Sequence, residues 1–222
     1  KGYEAVYVMA TNNMAGQWKT KDAQGNITKR RPPYFELMPQ RKLEAAKGAE
    51  HFGTEPIHLD HPQRFYTDTD GSIVRVRYGN PRPECVPPDV PTILTAHEDE
   101  EAVQSLADLI RKHNPEAVFV HGPIMVDMEH VGTCLLVTKA YNMAKEAGYK
   151  GMLLHWLDIT PTLYSAVFTR WETFVNVTDY WDAKLKAIAA HACQLPDVTK
   201  LTFPDWGSEA GCPRAEVFTV GN

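Results

Sequence analysis

Asp127, Glu129 and His130 arrive close together in the stretch VHGPIMVDMEHVGTC (120–134). They lie between a short apolar strand ending at His121 and the start of a helix. A neutral imidazole is a good zinc ligand, and a catalytic zinc site needs about three protein ligands and one open position. A carboxylate nearby can take a proton from metal-bound water. The plainer reading is that helix starts favour Asp and Glu whatever their chemistry. A second group, His58, Asp60 and His61 in HLDHPQR, follows another short strand. Asp60 and His61 suit a capped turn, and their place at a strand's carboxyl end also suits a ligand site.

Two further groups are weaker. AHEDEE (96–101) looks superficially like the AHPDDE that opens many zinc hydrolases, but no apolar strand leads into it, and its acids suit the front of a helix. Lys184 and His191 are seven apart on an expected helix and so share a face, most simply a solvated one. There is no GxGxxG or Walker pattern for phosphates and no GxSxG nucleophile elbow.

These residues need elements to aim them. EAVYVMAT (4–11) reads as a buried strand, and the polar stretch after it reads as a loop of about twenty residues. Residues 39–53 read as a helix with Pro39 near its start and Gly53 after its end. EPIHLDHP (55–62) reads as a strand, and 63–91 as an excursion with a small hairpin around SIVRVRY (72–78). Residues 95–115 read as a helix with Val103, Leu106, Ala107 and Ile110 in one apolar stripe. A strand at 117–123, a helix at 131–147, a strand at 151–159, a helix at 178–194 and a last strand in RAEVFTVGN follow. Strands alternating with amphipathic helices imply an α/β domain with a mostly parallel sheet. Ligands in such sheets sit beyond the carboxyl ends of the strands. That selects Thr11–Asn12–Asn13, Asp60–His61 and the segment after Val120.

Bulk properties narrow the class. At 222 residues the chain suits one sizeable domain, and 43% hydrophobic residues suffice for a core. A net charge of -5 argues against a nucleic-acid partner. Cys85, Cys134, Cys193 and Cys212 are widely spaced and read as free thiols. No apolar run is long enough for a membrane span, and no signal peptide is visible. The compartment is unknown, cytoplasmic by default, and a homo-oligomer is compatible with the chain.

The order of motifs resembles the LmbE-like, or PIG-L, family of zinc-dependent de-N-acetylases. KGYEAVYVMATNNMAG resembles the family's second strand and turn, and MPQRKLEAAKGAEHFGTEPIHLDHP its R-x-x-E helix and the strand after it. LADLIRKHNPEAVFVHGP, MEHVGTCLLVTKAYNMA, FVNVTDYWDAKLKAIAAHACQ and AEVF are similar to its later segments. The resemblance covers nearly the whole chain. It implies one LmbE-like domain over 1–222, a Rossmann-like three-layer sandwich with a mostly parallel central sheet, and Zn2+ as cofactor. The implied reaction removes an acetyl group from an N-acetylglucosamine-type sugar, glycoconjugate or related amide. His130 matches a zinc ligand, and Arg41 an arginine that lines the substrate pocket. Asp60 falls near the family's pocket acid, and Asn12 and Asn13 sit in the turn that approaches the site.

The chain also departs from the pattern. The family's first strand and its HPDD motif, source of two zinc ligands and the general base, are expected before Lys1 as a βα piece of roughly 25–30 residues. Without that strand, the sheet is expected to split. Asp127 stands where many members carry an oxyanion-binding His, and an ionised Asp cannot donate there. It would bind sugar hydroxyls, act protonated, or serve an altered chemistry. Glu129 replaces the usual Asp, and Cys193 a Ser. Two rival readings follow: a non-hydrolytic sugar-binding relative, and a Rossmann-like nucleotide-dependent transferase.

Overall fold

A computed structural model describes residues 3–76, 89–123, 127–156, 173–194, 196 and 215–220. They group into two compact units. Unit 1 comprises Lys1–Thr92 and Asp182–Leu201, and unit 2 comprises Ile93–Trp181 and Thr202–Asn222.

In unit 1, β1 (Tyr7–Thr11) pairs in parallel with β4 (Pro56–His61). Met9 faces His58 and Thr11 faces His61, so β4 has one residue more than β1 between those pairs. Asp60 absorbs it with φ 55, a left-handed conformation that Asp tolerates better than most residues. Where a loop was expected after β1, the chain forms an antiparallel hairpin of β2 (Trp18–Lys21) and β3 (Ile27–Arg30). Asp22 closes its turn by accepting from the backbone N–H groups of Gln24 and Asn26. The charged sequence hid this strand pair, because an exposed hairpin carries no apolar alternation.

Helix α1 (Tyr34–Glu50) begins five residues before Pro39, not at it. The helix loses one hydrogen bond at that proline, but Leu37, Ala45 and Ala49 are buried and hold it in place. The small hairpin expected in 63–91 is β5 (Phe65–Thr67) with β6 (Ile73–Arg75).

In unit 2, a 3-10 turn (Ala96–Glu98) leads into α2 (Glu100–His113). Asp99 caps α2 by accepting from Ala102 N–H at 2.8 Å, and the predicted apolar stripe is buried. AHEDEE is thus the front of a helix. Strand β7 (Ala117–His121) runs parallel to β8 (Met152–Trp156), with α3 (Met128–Glu146) between them in sequence. Gly132 lets α3 approach closely: a Cβ there would lie 2.5 Å from the Ile93 carbonyl oxygen. β9 (Thr173–Asn176) was not foreseen, and β10 (Ala215–Val220) is the expected last strand. The sheet order is β7-β8-β10-β9, with β10 antiparallel to both neighbours. Parallel pairing among the described residues is therefore confined to β1–β4 and β7–β8, which lie in separate sheets. The α/β class holds, but no large parallel sheet is present among the described residues.

Helix α4 (Trp181–Ala189) was expected to reach 194. It stops because the next residues turn onto α1, where Glu44 accepts from Cys193 N–H at 2.8 Å. The end of the 151–159 strand, beyond Trp156, lies outside the described residues. So do Cys85 and Cys212.

Candidate functional site

The described candidate residues fall into one group per unit. In unit 1, the end of β1 turns through Asn12, 2% exposed, and Asn13, 7% exposed with φ 61. Asn12 N–H donates to the His61 carbonyl at 3.1 Å, which locks this turn to the end of β4. Its side-chain oxygen accepts from Met14 N–H at 3.3 Å. The Asn12 and Asn13 side chains thus hold the turn's own shape. Asp60, by contrast, is half exposed, with Lys42 of α1 at 2.8 Å. It is paired rather than open.

Arg41 rises from α1 beneath Gly16. A Cβ on Gly16 would lie 2.5 Å from Arg41 Nη2, so the guanidinium would have to shift, and the φ of 135 favours glycine there. Arg41 Nε is enclosed and has no hydrogen-bond partner among the described residues. Desolvation pushes the guanidinium pKa down, while nearby Cys193 and Glu44 favour its charge. Glu44, one helical turn on, is 2% exposed. Its carboxylate accepts from Gln40 Nε2 at 2.9 Å, Cys193 N–H at 2.8 Å and Cys193 Sγ at 3.0 Å. Burial first, and then the Glu44 hydrogen bond, push the Cys193 thiol up to about 12. It is a hydrogen-bond donor, not a nucleophile.

Lys184 and His191 do not share a helix face, because α4 ends before His191. They line a cavity of about 260 Å³ with Tyr7, Gly48, Phe52, Ala187 and Ile188. Burial lowers the pKa of both Lys184 and His191.

In unit 2, β7 delivers His121 at its carboxyl end and α3 delivers His130 in its first turn. The two imidazoles stack, centroids 4.0 Å apart and planes 9° from parallel. Trp156, at the end of β8, tilts against His121 with centroids 5.8 Å apart. His121 Nδ1 is enclosed without a partner among the described residues. Desolvation, then the neighbouring His130, lowers the His121 pKa to about 4, against an opposing pull from Asp127. Asp127 caps α3, accepting from Glu129 N–H at 2.9 Å.

The donor chemistry at His130 suits zinc, but the described residues do not by themselves form a zinc site. Among the described residues no group of three His, Cys, Asp or Glu can hold an ion. Imidazole lone pairs lie in the ring plane, so two stacked, nearly parallel rings do not converge on one ion. His121 therefore does not complete a set with His130 in this arrangement.

Sequence reasoning passed over His121 as a site residue and met Glu44 only as the acid of the R-x-x-E helix, with no role assigned. The signal for His121 was its place at a strand's carboxyl end. The pairing of Glu44 with Cys193 carried no signal, because the two are 149 positions apart.

No protein-family model matches the chain, and no curated protein sequence does. Solved structures do. N,N'-diacetylchitobiose deacetylase from Pyrococcus horikoshii, complexed with an inhibitor, is 19% identical, with a TM-score of 0.59 over 99% of this chain and 73% of that one. GalB, the 4-carboxy-2-hydroxymuconate hydratase of Pseudomonas putida, is 19% identical, with a TM-score of 0.54 over 86% and 75%. The conserved protein TT1542 of Thermus thermophilus is 16% identical, with a TM-score of 0.52 over 83% and 74%. At these identities the likeness is one of fold.

Proposed function

We propose that this chain is a hydrolase of the N-deacetylase type, acting on an N-acetylglucosamine-type sugar or related amide, with one such domain spanning 1–222. The carrying observation is the imidazole pair His121–His130, placed where the carboxyl end of β7 meets the capped start of α3. The fold shared with the chitobiose deacetylase over 99% of the chain supports it.

In the reaction, water adds to the acetyl carbonyl carbon, the C–N bond breaks, and the amine leaves with a proton, giving acetate and a free amino sugar. Arg41, Asn12, Asn13 and Asp60, all within unit 1, would be that unit's candidates for holding sugar hydroxyls. Asp60 would exchange Lys42 for a hydroxyl donor. Asp127, an acceptor at its helix cap, would accept from a sugar hydroxyl close to the reacting amide.

Zinc remains the proposed cofactor, with His130 as the ligand this chain contributes. The described residues do not complete a zinc site, so in this reading the other ligands lie outside them. The test is acetate release from an N-acetyl chitooligosaccharide by the purified protein, with metal content measured alongside. Release that disappears in His130→Ala supports the reading, and no release at any zinc level sinks it.

A second reading has its own observation. The enclosed Arg41 Nε is poised for an acceptor, and a carboxylate would match a guanidinium better than a hydroxyl does. GalB, with the same fold, is a hydratase of a muconate by its name. Hydration of an unsaturated carboxylate, followed by loss of its ultraviolet absorbance, tests this alternative.

A further inference from the structure

The β2–β3 hairpin has two chemically different faces. On one, Trp18 stands opposite Arg30 and Thr20 opposite Thr28. That face is internally satisfied: Arg30 covers the Trp18 ring at 4.8 Å and pairs with Glu36, and the two threonine hydroxyls are 2.7 Å apart. On the other face, Lys19 stands directly opposite Lys29, with Lys21 and Ile27 as the next pair. Arg31, the first residue after β3, has its guanidinium 5.7 Å from the Phe65 ring, and Arg64 lies 5.8 Å from the same ring.

Like charges facing each other across a strand pair are destabilising, so folding alone gives no reason for the Lys19–Lys29 pair. The hairpin's acid does not neutralise it either, because Asp22 is occupied in the turn, bonded to Gln24 and Asn26. Lys19, Lys29 and Arg31 have no acidic partner among the described residues. The wider charge distribution points the same way. Sixteen of the chain's 23 Lys and Arg lie in unit 1, against thirteen of its 28 Asp and Glu, so unit 1 is basic within an acidic protein.

We propose that the Lys19–Lys29–Arg31 face of the hairpin binds an acidic glycan chain. The two ammonium-bearing side chains share one strand face, Lys29 exposed and Lys19 half-buried, and form a paired positive charge for an anionic polymer to meet. A bilayer is disfavoured because the hairpin tip, Asp22–Asn26, has no large apolar residue to insert. Single-stranded nucleic acid is disfavoured because the nearby aromatic rings, Trp18 and Phe65, already carry guanidinium groups over them, which compete with stacked bases. The acidic overall charge disfavours a long duplex. The choice of a glycan among polyanions rests on the amino-sugar reading of the site above.

The test titrates the full chain into labelled hyaluronan oligosaccharide, in which carboxylate sugars alternate with N-acetylglucosamine, and follows fluorescence anisotropy. Binding is expected to weaken about tenfold between roughly 50 and 300 mM salt, and about tenfold in Lys19→Gln/Lys29→Gln, whose melting temperature should not fall. Lys112→Gln/Lys150→Gln in unit 2 should bind as the wild type does. Equal affinity in the hairpin variant and the wild type overturns the proposal. So does tighter, equally lysine-dependent binding to duplex DNA or to phosphatidylserine vesicles. Acetate release is scored separately on neutral N-acetyl chitooligosaccharide. Lysine-dependent hyaluronan binding without acetate release refutes the hydrolase and leaves the docking face standing, and the converse result removes only the docking face.

Discussion

The rings of His121 and His130 lie face to face, 4.0 Å between centroids and 9° from parallel. One side chain comes from the last residue of β7 and the other from the first turn of α3, so strand and helix jointly set the stack. Stacking aligns the ring planes, and aligned planes send their lone pairs along separate lines. The two imidazoles therefore have different jobs.

Zinc occupancy separates those jobs. After dialysis against trace zinc, His130→Ala should lose most of its bound metal by elemental mass spectrometry. His121→Phe keeps a flat ring in the stack and should retain it. Undiminished zinc in His130→Ala would show that the ligand assignment is wrong. Equal loss in both variants would mean that the stack opens when metal binds.

Acid should weaken the protein through His121. Its folded pKa lies at about 4, below the ordinary 6.5, chiefly because burial penalises the imidazolium. Protons therefore bind the unfolded chain more readily. This contribution to stability is complete above pH 6.5 and declines as pH falls towards 4, by up to about 1.4 kcal/mol per unit. Urea unfolding at several pH values should show His121→Phe less acid-sensitive than the wild type. Identical slopes would place His121 in water.

Glu44 is the acceptor on which the 191–194 turn depends. Glu44→Ala would leave the Cys193 N–H, its thiol and the Gln40 amide without their acceptor, costing about 2–4 kcal/mol in urea unfolding. A loss below about 0.5 kcal/mol would mean that water replaces the carboxylate.

The same contact makes an alkaline signature. Cys193 is raised from 9.0 to about 12, so its stabilising effect is complete below pH 9 and is lost as pH rises from 9 through 12. Each unit in that window costs about 1.4 kcal/mol. Cys193→Ser should flatten this part of the stability curve relative to wild type. In the folded wild type, iodoacetamide should modify Cys193 far more slowly at pH 8 than in urea.

Gly16→Ala tests the seating of Arg41. The added methyl meets Nη2 at 2.5 Å in a backbone conformation that alanine resists. A loss of about 1–3 kcal/mol is expected, along with a raised KM for the sugar. Unchanged KM and stability would show that Arg41 moves aside without consequence.

What the sequence determined by itself is local. The apolar stripe of α2 and the strand character of 7–11, 56–61 and 117–121 all follow from residues a few positions apart. Periodicity and capping act over that range, so a single chain can display them. The basic hairpin escaped notice because exposed strands carry no apolar rhythm, and the true start of α1 escaped because buried Leu37 outweighs a proline. Only tertiary structure decided that His121 and His130 stack, that Asp60 spends its charge on Lys42, that β10 enters the sheet antiparallel, and that Glu44 meets Cys193. Those relationships join residues distant along the chain, and nothing in spacing encodes how two separated segments approach.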